Sequence, residues 1–568
     1  MTALKNMVAV LACSGFIASI SSCARAQDQT LALSSPIAAV EDFPVDARSS
    51  EVEPYRSVTQ HEMQIEGKTV AYEAIAGDTV LRDMQGKARA SIFSFSYLRT
   101  DVPAAGRPVL FVFNGGPGSA SLWIHMGAIG PRRVVLDKDV DPSNTPPFGL
   151  EDNPHSILDV ADLVFIDPVG TGFSRAAEGT DPKTFWGVDE DAESIAQFIE
   201  LWLSEHGRWN APKYVLGESY GSKRAAVLPR ALMGGPIYTG VMRGITLNGV
   251  VLLGTTLGGR DPSKDTPSAP SAAELARGLP GLAVTAAFHG TTPYSGQDVA
   301  SVYAEARSFA DTDYANALSK HQAGTLSLDE RDAVLARLKA FTGLTAEQIG
   351  DDLYIDAREF AKIALKSRNL EVGIYDSRYT LPLDNSGGDP VADDPAMGRY
   401  VPGFVAAFNE MIHDDLNVTI ERPYAAIYWR DLLTNWNWER RGVAPGQSFA
   451  VDLAWAMRRT PALRLFVASG YYDLVTMPTD AYAELDMADL PKTMNPATCY
   501  ISAPRRRRFH LTCASSSRLN SCRHAVPTAA RKASMSSVVL KTETVGRKRF
   551  LETVVTMPAA FILSFSFA

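Results

Sequence analysis

The chain holds 568 residues, 46% of them hydrophobic, with a formal net charge of -9. That length is too great for one simple core and calls for two or three units, or one large domain carrying an insertion. The acidic balance argues against nucleic acid as the main partner.

The first 26 residues read as an export signal. Lys5 supplies the positive start, and Met7 to Ile20 form an apolar run too short for a membrane span. Two cleavage readings compete. Ala24-Arg25-Ala26 suits an ordinary signal peptidase, whereas Ile20-Ser21-Ser22-Cys23 resembles a bacterial lipobox that would leave Cys23 lipidated. The expected product is exported, periplasmic or secreted, and membrane-bound only if Cys23 carries lipid. Residues 27–60 are rich in Ser, Pro and Ala and read as a flexible lead-in. His61 to Val80 and Ala90 to Tyr97 then alternate apolar and polar residues, as half-exposed antiparallel strands do. Pro108 to Phe113, Asp162 to Ile166 and Tyr214 to Leu216 are continuous apolar runs, which suit strands covered on both faces. Helical periodicity fills Val188 to His206. Strands alternating with helices predict an α/β fold with a mostly parallel, doubly covered sheet.

Residues 265–400 change character, with helices expected over Leu328 to Phe341 and Thr345 to Leu365. They read as a helical cap inserted between two parts of the core, 61–264 and 401–490. Leu463 to Ala468 is a further buried strand. The five cysteines are Cys13, Cys23, Cys499, Cys513 and Cys522. The body between them has none, so no disulfide framework is expected there. No Cys/His cluster has ligand spacing, so neither a metal nor another cofactor is expected.

Gly217-Glu218-Ser219-Tyr220-Gly221 is a G-x-S-x-G pentapeptide between a strand and an Ala-rich helical stretch. A sharp strand-to-helix turn there would lift the Ser219 hydroxyl off the sheet as a nucleophile. A Gly-rich structural turn is the bland alternative. Asn114-Gly115-Gly116-Pro117-Gly118 directly follows a strand, and its backbone N–H groups could meet a developing oxyanion, with Gly116 and Tyr220 as the two donors.

These segments, with Gly130-Pro131, Asp162 to Ser174 and Gly470-Tyr471-Tyr472-Asp473, run in the order of the serine carboxypeptidase signatures, and the chain resembles that family across roughly residues 60–490. The resemblance implies an α/β-hydrolase fold and peptide substrates with a free C-terminal carboxylate. It implies that Glu218, Asn114 and Gly115 bind that carboxylate and that Asp473 orients a catalytic histidine. Two carboxylates repel, so Glu218 would have to be protonated, which predicts an acidic optimum. The bland readings are an ion-paired acid at a helix start for Glu218 and a turn aspartate for Asp473. Ser119 stands where plant and fungal relatives carry Cys, in keeping with a disulfide-free body, and Val112 and Ala128 stand where relatives carry Trp and Glu, which puts side-chain preference in doubt.

The family's Gly-His-Met motif is missing. Beyond Asp473 stand only His510, just after four consecutive arginines, and His524. Residues 499–568 carry 12 Lys/Arg against 2 Asp/Glu. The tail 491–568 therefore reads as aberrant, out of frame and poorly ordered, or as a basic surface tail. The genetic code allows a reading shifted from the third base of the Met494 codon to spell Glu-Pro-Gly-His-Met-Leu-Tyr-Leu. As written, the chain is expected to be nearly inactive. Two other functions compete: an esterase or acyltransferase on the same scaffold, and an exported binding protein without chemistry. Oligomeric state is not legible in the sequence.

Overall fold

Three antiparallel strands open the sheet, and the third departs from the half-exposed strand expected over Ala90 to Tyr97, because neighbours on both faces bury that whole stretch, its serines included. β1 (Arg56–Ile65) and β2 (Lys68–Arg82) turn at Glu66-Gly67 and pair antiparallel, and β3 (Ala88–Arg99) pairs antiparallel with β2. The computed structural model describes residues 53–259, 270–383, 389, 391–488 and 490, and the backbone of 497–502, 510–514, 541–545 and 548–552. The export signal and most of the 27–60 lead-in lie outside the described residues. β1 nonetheless begins within that lead-in, because Arg56 to Gln60 find ladder partners in Gly77 to Glu73.

β4 (Val109–Phe113) is buried throughout and ends at the Asn114 loop. The short helix α1 (Leu122–Ile124) and a side hairpin of β5 (Arg132–Val135) and β6 (Gly149–Asp152) follow. β7 (Asp162–Ile166), also fully buried, returns to the sheet, and β8 (Arg175–Ala176) pairs at β3. Then come α2 (Val188–Glu205), β9 (Lys213–Glu218), α3 (Tyr220–Met233) and β10 (Gly249–Leu253). Asp189, Glu190 and Asp191 open α2, where acidic side chains complement the helix dipole.

The insertion after β10 is helical: α4 (Ala272–Ala276), α5 (Leu279–Phe288), α6 (Val299–Phe309), α7 (Ala315–Gln322), α8 (Leu328–Thr342), α9 (Ala346–Ile349) and α10 (Ala357–Ile363). The helix expected over Thr345 to Leu365 is broken in two. Gly350, at φ +80°, ends α9, and Asp356 caps α10 through the N–H groups of Arg358 and Glu359. A two-strand ribbon of β11 (Leu370–Val372) and β12 (Thr380–Pro382) precedes α11 (Pro395–Glu410). α12 (Arg430–Thr434), α13 (Ala450–Arg459), β13 (Arg464–Gly470) and α14 (Pro478–Met487) complete the well-packed body. The tail contributes backbone for β14 (Ala497–Ser502), β15 (His510–Ala514), β16 (Lys541–Val545) and β17 (Lys548–Glu552).

Among the described residues the central sheet runs β1-β2-β3-β7-β4-β9-β10-β13-β14-β15, with β8 off the path beside β3. Neighbours from β7 through β14 are all parallel. Apolar clusters cover both faces. One joins the sheet to α2, α3 and α13, with Phe111 edge-on to Trp202 at 5.4 Å; burying each such ring contributes about 2–3 kcal/mol. The other joins it to the cap helices through Leu253, Leu282 and Tyr303. Function gathers at the carboxyl ends of parallel strands, where loops are free to vary.

Candidate active site

The turn between β9 and α3 is tight, and its glycines are needed for space. A Cβ on Gly217 would lie 1.9 Å from the Gly221 carbonyl oxygen, and one on Gly221 would lie 3.0 Å from the carbonyl oxygens of Phe113 and Asn114. Ser219 between them sits at φ 55°, ψ -124°, a region that non-glycine residues rarely visit and that marks a strained elbow. Its N–H donates to Leu253 O at 2.9 Å, which ties the elbow to β10.

The loop after β4 closes over this turn. A Cβ on Gly115 would stand 2.5 Å from Tyr220 N and 2.9 Å from Ser219 Cβ, so only glycine lets the two backbones approach this closely. The Tyr220 N–H opens α3 and has no acceptor within the helix. Gly115, Ser219 and Tyr220 are thus brought together from two separate loops, while a Cβ on Gly116 would meet Trp429 Nε1 at 2.9 Å.

Beneath them, Asn114 Nδ2 donates to Glu218 Oε2 at 2.8 Å, and Asn114 Oδ1 accepts from Ile124 N–H at 3.2 Å. The second contact fixes the amide orientation, so the NH2 group faces Glu218. Burial pushes the Glu218 carboxyl up to about 8; the Asp473 charge adds to this and the Asn114 bond opposes it. Glu218 Oε1 is buried without a partner among the described residues. Asp473 comes from the turn after β13. Burial pushes it up to about 7, against the N–H groups of Val475 and Thr476 at 2.8 and 2.7 Å on Oδ1 and the Thr476 hydroxyl on Oδ2.

Two groups escaped the sequence reading. Thr476 is one; its signal was the Asp-x-x-Thr spacing, in which a side-chain carboxylate caps its own turn. The other is the buried pair Asp376–Arg378, with Arg378 also lying 5.3 Å over the Tyr472 ring. This cap segment brackets Asp473: Ser377 N–H donates to Tyr472 O and Leu474 N–H donates to Ile374 O, each at 2.9 Å. Only a contact distant in sequence reveals it.

No histidine among the described side chains bonds Ser219 or Asp473. His125 is buried against Phe165 and bonded to the Tyr97 hydroxyl, and His289 bonds Ser377 O. The backbone of His510 lies in β15 opposite Ser502, at the carboxyl end of β14. His524 lies outside the described residues. Of the departures, Ser119 accepts from Trp123 Nε1 at 2.8 Å, and Val112 is buried in β4. Among the described residues no group of His, Cys, Asp and Glu could hold a metal, and no helix is long and apolar enough to cross a membrane.

A mostly parallel sheet flanked by helices, with a strained serine at the turn after a central strand, defines an α/β-hydrolase. Residues 82–257 match the family model of the serine carboxypeptidases, and the chain is similar to that family over this stretch. Serine carboxypeptidase-like 36 of Arabidopsis thaliana is 29% identical over 141 residues, 24% of this chain and 27% of that protein. The retinoid-inducible serine carboxypeptidase of Homo sapiens is 32% identical over 141 residues, 24% of this chain and 26% of that protein. The matched stretch therefore spans about a quarter of the length of these curated relatives. Among solved structures, a thermostable carboxyl esterase from Bacillus coagulans aligns over 74% of this chain and 89% of its own, with 14% identity and a TM-score of 0.29.

Proposed function

We propose that this chain is built as an exported serine-type carboxypeptidase that releases C-terminal amino acids from peptides, and that as written it is catalytically impaired. The buried Asn114–Glu218 pair is the observation that carries the reading. A carboxyl held up to about 8 is neutral at acid and neutral pH, so it can donate a hydrogen bond to a peptide's terminal carboxylate. In the proposed reaction Ser219 Oγ attacks the scissile carbonyl carbon. The N–H groups of Gly116 and Tyr220 receive the oxyanion, the C–N bond breaks with proton transfer to the leaving amine, and water then hydrolyses the acyl ester. The proton from Ser219 needs a base beside Asp473. With the Thr476 hydroxyl on Asp473 Oδ2 and no histidine among the described side chains bonded to Ser219 or Asp473, that step is slow in this proposal.

The same missing base supports the second reading, a pocket that binds peptide without turning it over. Labelling separates the two. An active nucleophile reacts with an aryl organophosphonate at Ser219, seen by mass spectrometry of the intact protein. No labelling, together with tight peptide binding, would sink the enzymatic reading. Export is tested by fractionation of the producing cell, and retention in the cytosol would overturn it.

A further inference from the structure

Arg224 is fully buried on α3, and its guanidinium faces three ways. Nε and Nη2 bond the Asp191 carboxylate of α2 at 2.5 and 3.3 Å, and Nη1 donates to the Asn114 carbonyl oxygen at 2.7 Å. Its guanidinium carbon lies over two rings, 5.1 Å from the Phe113 centroid and 5.3 Å from the Tyr220 centroid. The 114–115 peptide is trans, since the cis bonds are Gly116-Pro117 and Pro146-Pro147. In a trans peptide the C=O and the following N–H point in opposite directions. A cation anchored on the Asn114 carbonyl therefore fixes the Gly115 N–H on the opposite side of that peptide, in a residue packed so closely on the elbow that a Cβ added to it would lie 2.9 Å from Ser219 Cβ. A charge on the oxygen also draws electron density through the amide and makes that N–H a stronger donor.

We propose that Arg224, held by Asp191, is a positioning residue that aims and polarises the Gly115 N–H toward the terminal carboxylate of a peptide. The inference rests on the carboxylate-binding reading above and adds the group that sets up one of its donors. Arg224 touches no substrate. It acts through one peptide bond, and its five-donor fork can serve the carboxylate and the carbonyl together, which a lysine ammonium cannot do with the same geometry. Asp191 holds the fork in register, because without it the guanidinium would be free to swing off the carbonyl.

The test is calorimetric binding of an N-acylated dipeptide and of its C-terminal amide to the full chain. Two variants are used: Arg224→Lys, and the double variant Arg224→Met with Asp191→Leu, which leaves no buried charge unpaired. Folding of each is checked by thermal melting. Wild-type protein is expected to bind the acid at least ~10-fold more tightly than the amide, since a charge-assisted bond is at stake. Each folded variant is expected to lose that preference to within about threefold, with amide affinity little changed. A merely structural role would weaken acid and amide alike. If wild type prefers the acid and both folded variants keep the preference in full, the role of Arg224 is overturned and the carboxylate reading stands. If wild type binds acid and amide equally, the carboxylate reading itself fails and this role falls with it.

Discussion

Glu218 and Asp473 converge on one glycine: a Cβ on Gly254 would lie 3.6 Å from Glu218 Oε1 and 3.7 Å from Asp473 Oδ2. Burial pushes each carboxyl up, to about 8 and about 7, and the Asp473 charge adds to the rise of Glu218.

Glu218→Gln keeps the shape and the bond from Asn114 but removes the titration. Affinity for a free-acid peptide should be full below about pH 7 in the wild type and fall as pH rises through about 8, because ionised Glu218 repels the carboxylate. In Glu218→Gln the fall should vanish. Affinity for a blocked ester should change little in either protein. A free-acid affinity that is flat with pH in the wild type would count against the proposal.

The same pair bears on stability. Both carboxyls have folded values above their ordinary ones, so the folded state binds more protons than the unfolded chain between about pH 4 and 8. Their contribution is present below the unfolded value and is lost as pH rises through the folded values. The unfolding free energy from denaturant titration should therefore fall across that window, by an amount on the order of a few kcal/mol. Glu218→Gln should flatten part of the slope, and an unchanged slope would refute the assignment.

Thr476→Val removes one hydroxyl from Asp473 and leaves the volume nearly unchanged. Losing a donor to a buried carboxyl should cost about 1–3 kcal/mol in urea unfolding. The Asp473 titration should move further up, because its neutral form is then favoured more.

Arg378→Met would leave Asp376 buried and unpaired in the segment that brackets Asp473, at a cost of about 3–5 kcal/mol. The double variant Arg378→Met with Asp376→Leu should recover most of this. If the double variant is as unstable as the single, the pair matters through shape rather than charge.

The gene itself should be read again from codon 474 through codon 568. A shifted histidine at the Ala497–Thr498 codons would stand opposite Phe466 and Val467, whereas Gly470, just before Asp473, stands opposite Ile501. That is about 10–13 Å from the carboxyl end at ~3.3 Å per residue. α14 also ends at Met487, which leaves little chain for a strand ahead of such a histidine. We therefore expect two frame changes, one near Met494 and one upstream. An intact frame would leave the chain a peptide binder.

By itself the sequence determined the parallel strands and the elbow, whereas the pairing of Asn114 with Glu218 was implied by the family resemblance and is made by the tertiary structure. The strands and the elbow are written in local chemistry: continuous apolar runs for strands buried on both faces, and glycines where two backbones must touch. The sequence misjudged the 345–365 helix, because Gly350 and the Asp356 cap outweighed the apolar period. Only the tertiary structure decided that Thr476 occupies Asp473, that Asp376 and Arg378 bracket it from the cap, and that Arg224 reaches the Asn114 carbonyl across 110 positions of chain. Those contacts join residues far apart in sequence, and their energy comes from burial, which no local pattern encodes.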